Sequence, residues 1–266
     1  MKEIYLSLIL CCFSYISFSQ DRYFGYTYTT NILPKGNIDL ELWHTSRFGH
    51  DNQFYHGMDQ RMEFELGLGK NVQTAFYFNR YQTSASNSLN EITQHTEFGI
   101  SNEWKWKLSD PSLNKVGTSL YAEWGLKGDE AELEAKLIFD KNIGKNLFAF
   151  NIVYEREYEF ERKNNKNEVN LSQSPVLFDL AYMRQISIPF GIGIEFRNTN
   201  LIKNGYWQNS VLNGGPCLNY RNDRWFIIFN YLPQWVNLHK TINFPFSKVL
   251  NENEKTEVRV ILGISL

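Results

Sequence analysis

In "RMEFELGLGKNVQTAFYFNRY", Arg61 to Tyr81, the residues Met62, Phe64, Leu66 and Leu68 alternate with Glu63, Glu65, Gly67 and Gly69. Lys70-Asn71 then interrupts the pattern, and a second alternating run begins at Val72. A period of two is the signature of a strand with two chemically different faces, and a polar dipeptide between two such runs is a hairpin turn. Two readings compete: a soluble sheet with an apolar core, or a barrel wall with its apolar face turned outward and its glutamates turned in.

The same alternation recurs along the chain. It predicts strands over 36–48, 59–69, 72–83, 93–108, 115–127, 130–143, 146–159, 174–186, 189–199, 210–221, 224–236 and 255–266, twelve in all. Helical periodicity appears nowhere over a useful length. Connections after the even strands are tight and rich in turn formers: Lys70-Asn71, Ser109-Asp110-Pro111, Gly144-Lys145, Ser187 before Pro189, and Asn222-Asp223. Those after odd strands read as longer polar loops over 49–58, 84–92, 160–173, 200–209 and 237–254; Lys127-Gly128-Asp129 is the exception. An even strand count with loops sorted by parity is the layout of a transmembrane barrel with short periplasmic turns and longer extracellular loops. The fold class read here is therefore all-β, a single closed antiparallel transmembrane β-barrel of about twelve strands spanning 36–266.

The faces agree with that layout. The inward set carries Asp39, Glu41, Glu63, Glu65, Glu97, Glu123, Glu132, Glu134, Asp179, Glu195, Arg197, Glu257 and Arg259, which are the expected lumen-lining residues. The opposite face is apolar over runs long enough to match a band of ~25 Å. Trp104, Trp106, Tyr182 and Trp225 stand near strand ends, as an interfacial girdle would. Glycines such as Gly67, Gly99, Gly191 and Gly263 lie on the charged face, where a crowded lumen favours small volume. "TEVRVILGISL", Thr256 to Leu266, alternates to the last residue and reads as a closing strand, although it ends in Leu266 rather than an aromatic residue.

The first residues read differently. Lys2, the apolar run 4–16 and the small Ser17 and Ser19 form a secretory signal peptide over 1–19, too short for the ~20 apolar residues of a helical span. Export implies the cell outer membrane of a Gram-negative bacterium, with outer-membrane lipid as the surroundings. Residues 20–35 form an N-terminal segment; within it 23–33 reads either as an added strand or as a segment beneath or inside the barrel.

Composition narrows the functions. The chain carries a net charge of −2, which gives no footprint for nucleic acid. Beyond the leader, Cys217 is the only cysteine, so neither a disulfide framework nor a cysteine metal knuckle exists, and no cofactor is implied. Aromatic residues make up 16% of the sequence, with 20 Phe, 15 Tyr and 7 Trp, in keeping with a barrel girdled at both interfaces. The histidines His44, His50 and His56 match no ordinary metal-ligand spacing, and no metal site is assigned. In "WHTSRFGHDN", Trp43 to Asn52, His44 and Ser46 would share a strand face, a pattern that outer-wall lipases also use, but the surrounding sequence does not resemble theirs and the chain is not read as an enzyme. "NGGP", Asn213 to Pro216, reads as a bulge in a strand rather than a phosphate loop, because no helix follows it.

The opening "FGYTYTTNILPKGNIDLELW" followed by "DQRMEFELGLGKNVQTAFYFN" resembles a family of exported Gram-negative outer-membrane barrels labelled porin-like or transporter. The resemblance covers about the first quarter of the chain and implies the fold; it carries no functional residues. The expected function is a monomeric porin-like channel or transporter for small solutes, with an acidic lumen that favours cations or is filled by salt bridges. Its alternatives are a structural or adhesive barrel working through its loops and an outer-membrane lipid hydrolase.

Overall fold

The computed structural model describes residues 22–51, 53–87, 91–163, 166–242, 244–250 and 253–266. The expected signal peptide over 1–19 lies outside them. The described chain is all strand, turn and extended backbone. β1 (Ile38–His50), β2 (Gln53–Gly69), β3 (Val72–Ser86), β4 (Ile92–Ser109), β5 (Gly117–Lys127), β6 (Glu130–Ile143) and β7 (Asn146–Lys163) are followed by β8 (Lys166–Gln173), β9 (Val176–Gln185), β10 (Phe190–Lys203), β11 (Tyr206–Arg221), β12 (Trp225–Asn237) and β13 (Thr256–Ser265).

Each strand pairs antiparallel with the next around the sheet, β6 pairs with β7, and β1 pairs with β13, so the sheet closes. β8 and β9 both pair with β7, β8 with its outer end and β9 with its first half. They are successive lengths of one wall, parted at Ser174-Pro175, where proline has no N–H to give a ladder. The result is a closed twelve-stranded barrel plus one extra strand.

The alternation sets the faces as expected. On β2, Glu63 is fully buried while Phe64 is 36% exposed on the outer surface. Phe76, Phe78, Ile100, Trp104, Trp106, Leu133 and Leu180 extend this outward apolar belt. Outward polar residues mark its edge toward the long hairpins: Arg80 donates to Gln60 at 2.7 Å, and Arg156 donates to the hydroxyl of Tyr154 at 3.0 Å.

The long polar loops of the sequence reading are a point of difference. Most of 49–58, 160–173 and 200–209 is strand, and 84–92 is shortened by β3 reaching Ser86 and β4 beginning at Ile92; β10 and β11 are joined through Asn204-Gly205. Above an apolar belt both faces of a strand meet water, so alternation disappears although the backbone still pairs; composition alone cannot tell such a hairpin from a loop. The segment 238–255 between β12 and β13 is the one long connection among the described residues. It folds back on the barrel, burying Phe244 and Val249 against Val211. The glycine-proline stretch 213–216 does interrupt the β11–β12 ladder, whose register shifts after Leu212.

Residues 22–37 form no strand. The chain enters at the short-turn end, crosses the interior, and turns at Leu33-Pro34-Lys35-Gly36 into β1; the Gly36 N–H donates to the Gly67 carbonyl at 2.8 Å. Gly67 makes this possible, since a Cβ there would stand 2.1 Å from the Pro34 carbonyl oxygen.

Candidate functional site

The interior divides into a filled half and an open half, and the N-terminal strap 22–33 is the boundary. With no strand beside it, the strap must find partners for its peptide groups among side chains of the wall. Glu195 on β10 supplies most of them. Its carboxylate accepts from the N–H groups of Gly25 at 3.1 Å, Tyr26 at 2.8 Å and Thr27, from the Thr27 hydroxyl at 2.7 Å, and from the Asn230 amide at 2.7 Å. Asn151 on β7 accepts from the Tyr28 N–H at 2.6 Å and donates to its carbonyl at 3.0 Å. Asp140 on β6 takes the Thr30 N–H and hydroxyl, and Gln73 on β3 takes the Leu33 N–H at 2.6 Å. Donors from the wall return the favour: Asn219 reaches the Tyr23 carbonyl, Arg221 the Arg22 carbonyl and Arg259 the Gly25 carbonyl.

The strap's side chains fill what remains. Phe24, Tyr26, Tyr28 and Leu33 are buried, and Phe24 packs with Met183, Cys217, Phe226 and Ile261 at the short-turn end. The ring of Tyr26 lies under the guanidinium of Arg259 at 3.6 Å, and its hydroxyl donates to Glu257. Arg22 pairs with Glu41 at 3.1 Å and stacks on Trp43 and Tyr28, each at 4.3 Å.

Above the strap lies a cavity of about 360 Å³, floored by Gly25, Tyr26 and Tyr28 and extending toward the long hairpins. Glu132, Glu134, Glu155 and Glu157 line it from β6 and β7, with Lys136 among them; Arg47, Arg61 and Arg259 line it from β1, β2 and β13 across the barrel, with Asp59 beside them. Arg61 reaches Glu123 at 4.0 Å, Lys136 holds Glu134 at 2.8 Å, and Arg197 stands 3.5 Å from Asp179. Such an arrangement can orient a small solute that carries both signs of charge.

The residues expected in the lumen distribute over both halves. Asp39, Glu41, Glu63, Glu65, Asp179 and Glu195 are deeply buried. Glu123, Glu132, Glu134, Arg197 and Arg259 line the open cavity, and Glu257 touches the strap. Glu97 sits nearer the outer rim, between Lys127 at 3.8 Å and His95 at 3.4 Å. The sequence reading did not single out Arg22, Tyr26, Tyr28, Asp140, Asn151, Glu155 or Glu157. Glu155 and Glu157 were legible in the phase of β7; the strap residues were not, because their role depends on walls more than 100 residues away.

Two further clusters stand out. Among the described residues, carboxylates converge at Glu41, Glu63 and Glu65 and at Glu132, Glu134 and Glu155; His44, His50 and His56 belong to neither group. On the outer wall the His44 Nε2 lies 3.0 Å from the Ser46 hydroxyl. Gln60 stands opposite His44 on β2, its carbonyl held by Arg80.

The chain belongs to a family described as Family of unknown function (DUF6662), whose model matches residues 16–266. The NanC porin is similar in structure at a TM-score of 0.53 and 11% identity, over 85% of this chain and 100% of that one. The translocator domain of the autotransporter NalP from Neisseria meningitidis gives 0.56 at 9% identity, covering 86% of this chain and 87% of the other. The beta domain of the Bordetella autotransporter BrkA gives 0.55 at 8% identity, covering 87% and 100%. At these identities the likeness is one of fold, shared by barrels of different function. No curated protein matches the chain.

Proposed function

We propose that this protein is an exported outer-membrane barrel that passes small charged solutes, with its own N-terminal strap as the closure of the inner half. The observation that carries the reading is the charged cavity standing directly on the strap. The strap is held by side-chain hydrogen bonds and packing rather than by a strand ladder. Each such bond contributes about 0.5–1.5 kcal/mol net, or about 1.5–3 where it ends on a carboxylate, and none belongs to the ladder of the wall, so the strap can leave while the backbone-paired wall stays intact. The apolar belt supports a place in the outer membrane, with long hairpins outside and short turns on the periplasmic side. A solute entering from outside meets the acidic β6–β7 wall first as a favourable field for cations, and the arginines opposite give any carboxylate or phosphate on the same solute a partner.

Planar-bilayer recording tests this directly. The full chain should give rare or no steps, and a variant lacking 22–33 should give steady, mildly cation-selective ones. A strapless barrel that folds, inserts and stays silent would remove the transport reading and leave the structural or adhesive barrel acting through its 160–173 hairpin and 237–254 connection.

A second reading rests on the His44–Ser46 contact of 3.0 Å on the outer wall at the edge of the apolar belt, where an ester of a membrane lipid would lie. A base hydrogen-bonded to a hydroxyl is the core of a nucleophilic hydrolase, with Gln60 placed to orient the histidine. Release of fatty acid from phospholipid vesicles, lost in Ser46→Ala, supports it; no release by the wild-type chain removes it.

A further inference from the structure

We propose that Glu41, Glu63 and Glu65 bind one divalent cation of the calcium class in the filled half of the lumen, beneath the strap. Glu41 and Glu63 face each other across the β1–β2 ladder, and Glu65 follows on the same face of β2. All three side chains are buried, and an oxygen from each lies within 4.8 Å of the others. That separation is about twice a calcium–oxygen distance of ~2.4 Å, so one ion can sit among them. The second observation is Glu63 itself: it is fully buried, and neither of its carboxylate oxygens has a hydrogen-bond partner.

Charge points the same way. The guanidinium in direct contact with the group is that of Arg22, which pairs with Glu41; Arg61, the nearest arginine along β2, is committed to Asn79, to Glu123 and to the ring of Tyr77. An unpaired carboxylate in a dry interior is strongly disfavoured. The donors are all oxygens, which selects a hard cation. Carboxylates able to bind through both oxygens suit the flexible, high coordination of calcium better than magnesium, which keeps its waters. Because Glu41 also holds Arg22, the ion would tie the strap to the β1–β2 wall.

The experiment uses the full mature chain folded in detergent, stripped with EDTA and titrated with calcium chloride. The expected result is a saturable uptake seen by calorimetry with a rise in Tm, weaker with magnesium chloride. Both should be lost in Glu63→Gln and kept in Glu134→Gln, which alters the other carboxylate group. The circular dichroism of each variant in EDTA shows that it folds, and Glu65→Gln replaces Glu63→Gln if that chain does not. No uptake by the wild type overturns the proposal, and so does uptake that survives Glu63→Gln or disappears only in Glu134→Gln. A stripped protein that gains stability on acidification and ignores calcium overturns it too, since protons then neutralise the group.

Discussion

The two halves of this lumen are built from the same kind of wall, yet they solve the burial of charge in opposite ways. In the short-turn half, Glu195 and Asp140 are covered by protein and satisfied by the peptide and hydroxyl groups of the strap. In the other half Glu132, Glu134 and Glu155 face a cavity, where Lys136 holds Glu134 directly and arginines stand on the opposite wall. The difference teaches that the pattern of inward carboxylates does not decide whether such a barrel is a conduit. On the function proposed above, a dozen residues that belong to no strand decide it.

The largest effect expected on this contrast is from Glu195→Ala. It leaves three buried N–H groups of the strap without their acceptor, at ~1–3 kcal/mol each, so the strap should detach while the wall persists. Hydrogen exchange should show Gly25, Tyr26 and Thr27 losing protection with the β-strands unchanged; equal protection in both chains would mean the strap is held by its side chains alone. Next comes the outer surface. Phe76→Arg places a charge in the apolar belt and should lower unfolding stability by up to ~2–4 kcal/mol in lipid, read from denaturant titration in vesicles. A smaller effect follows from Glu132→Lys in the open half. It should shift the reversal potential of the strapless channel toward anions by no more than roughly 900-fold in permeability ratio, since the change of two charges, each worth about 1 kcal/mol at contact in water, acts on the cation and on the anion alike. An unchanged ratio would place the current elsewhere.

The smallest effect belongs to the turn after β4. Lys107 holds Asp110 at 2.5 Å, and this hydrogen bond, with the Ser112 N–H behind it, keeps the Asp110 carboxyl below its usual range. A depressed folded-state value means that the carboxylate adds stability above its unfolded pKa and loses it as pH falls through the folded one. At a turn so open to water the gain is ~0.5 kcal/mol or less, because solvent and salt screen the pair. Asp110→Asn should therefore flatten Tm against pH slightly in the acid range and leave neutral stability almost unchanged.

How much of this was legible follows from what alternation can encode. Phe64 against Glu63 announces two faces, and the parity of the turns at Lys70-Asn71 and Gly144-Lys145 announces closure into a barrel. The strap carries the same local signal: Phe24, Tyr26 and Tyr28 alternate with Gly25, Thr27 and Thr29, as a strand would. What distinguishes it is that its peptide groups meet Glu195, Asn151 and Asp140 instead of another backbone, and those partners are not neighbours in sequence. The hairpin ends were hidden for the opposite reason. From the Tyr158–Leu171 pair to the Lys163–Lys166 pair the backbone ladder is regular, but no apolar medium lies on either side to impose a pattern on the side chains.

The placing of the strap also fixes an order of events. Gly25 and Glu195 are 170 residues apart, and the other anchors stand on β3, β6, β7, β11 and β13. No subset of the wall offers the strap a complete berth, so the strap, although it precedes every strand in the chain, settles last, after β1 and β13 have met. Assembly of the cylinder and its corking are separate stages, and a chain halted between them would be a finished barrel with an open floor.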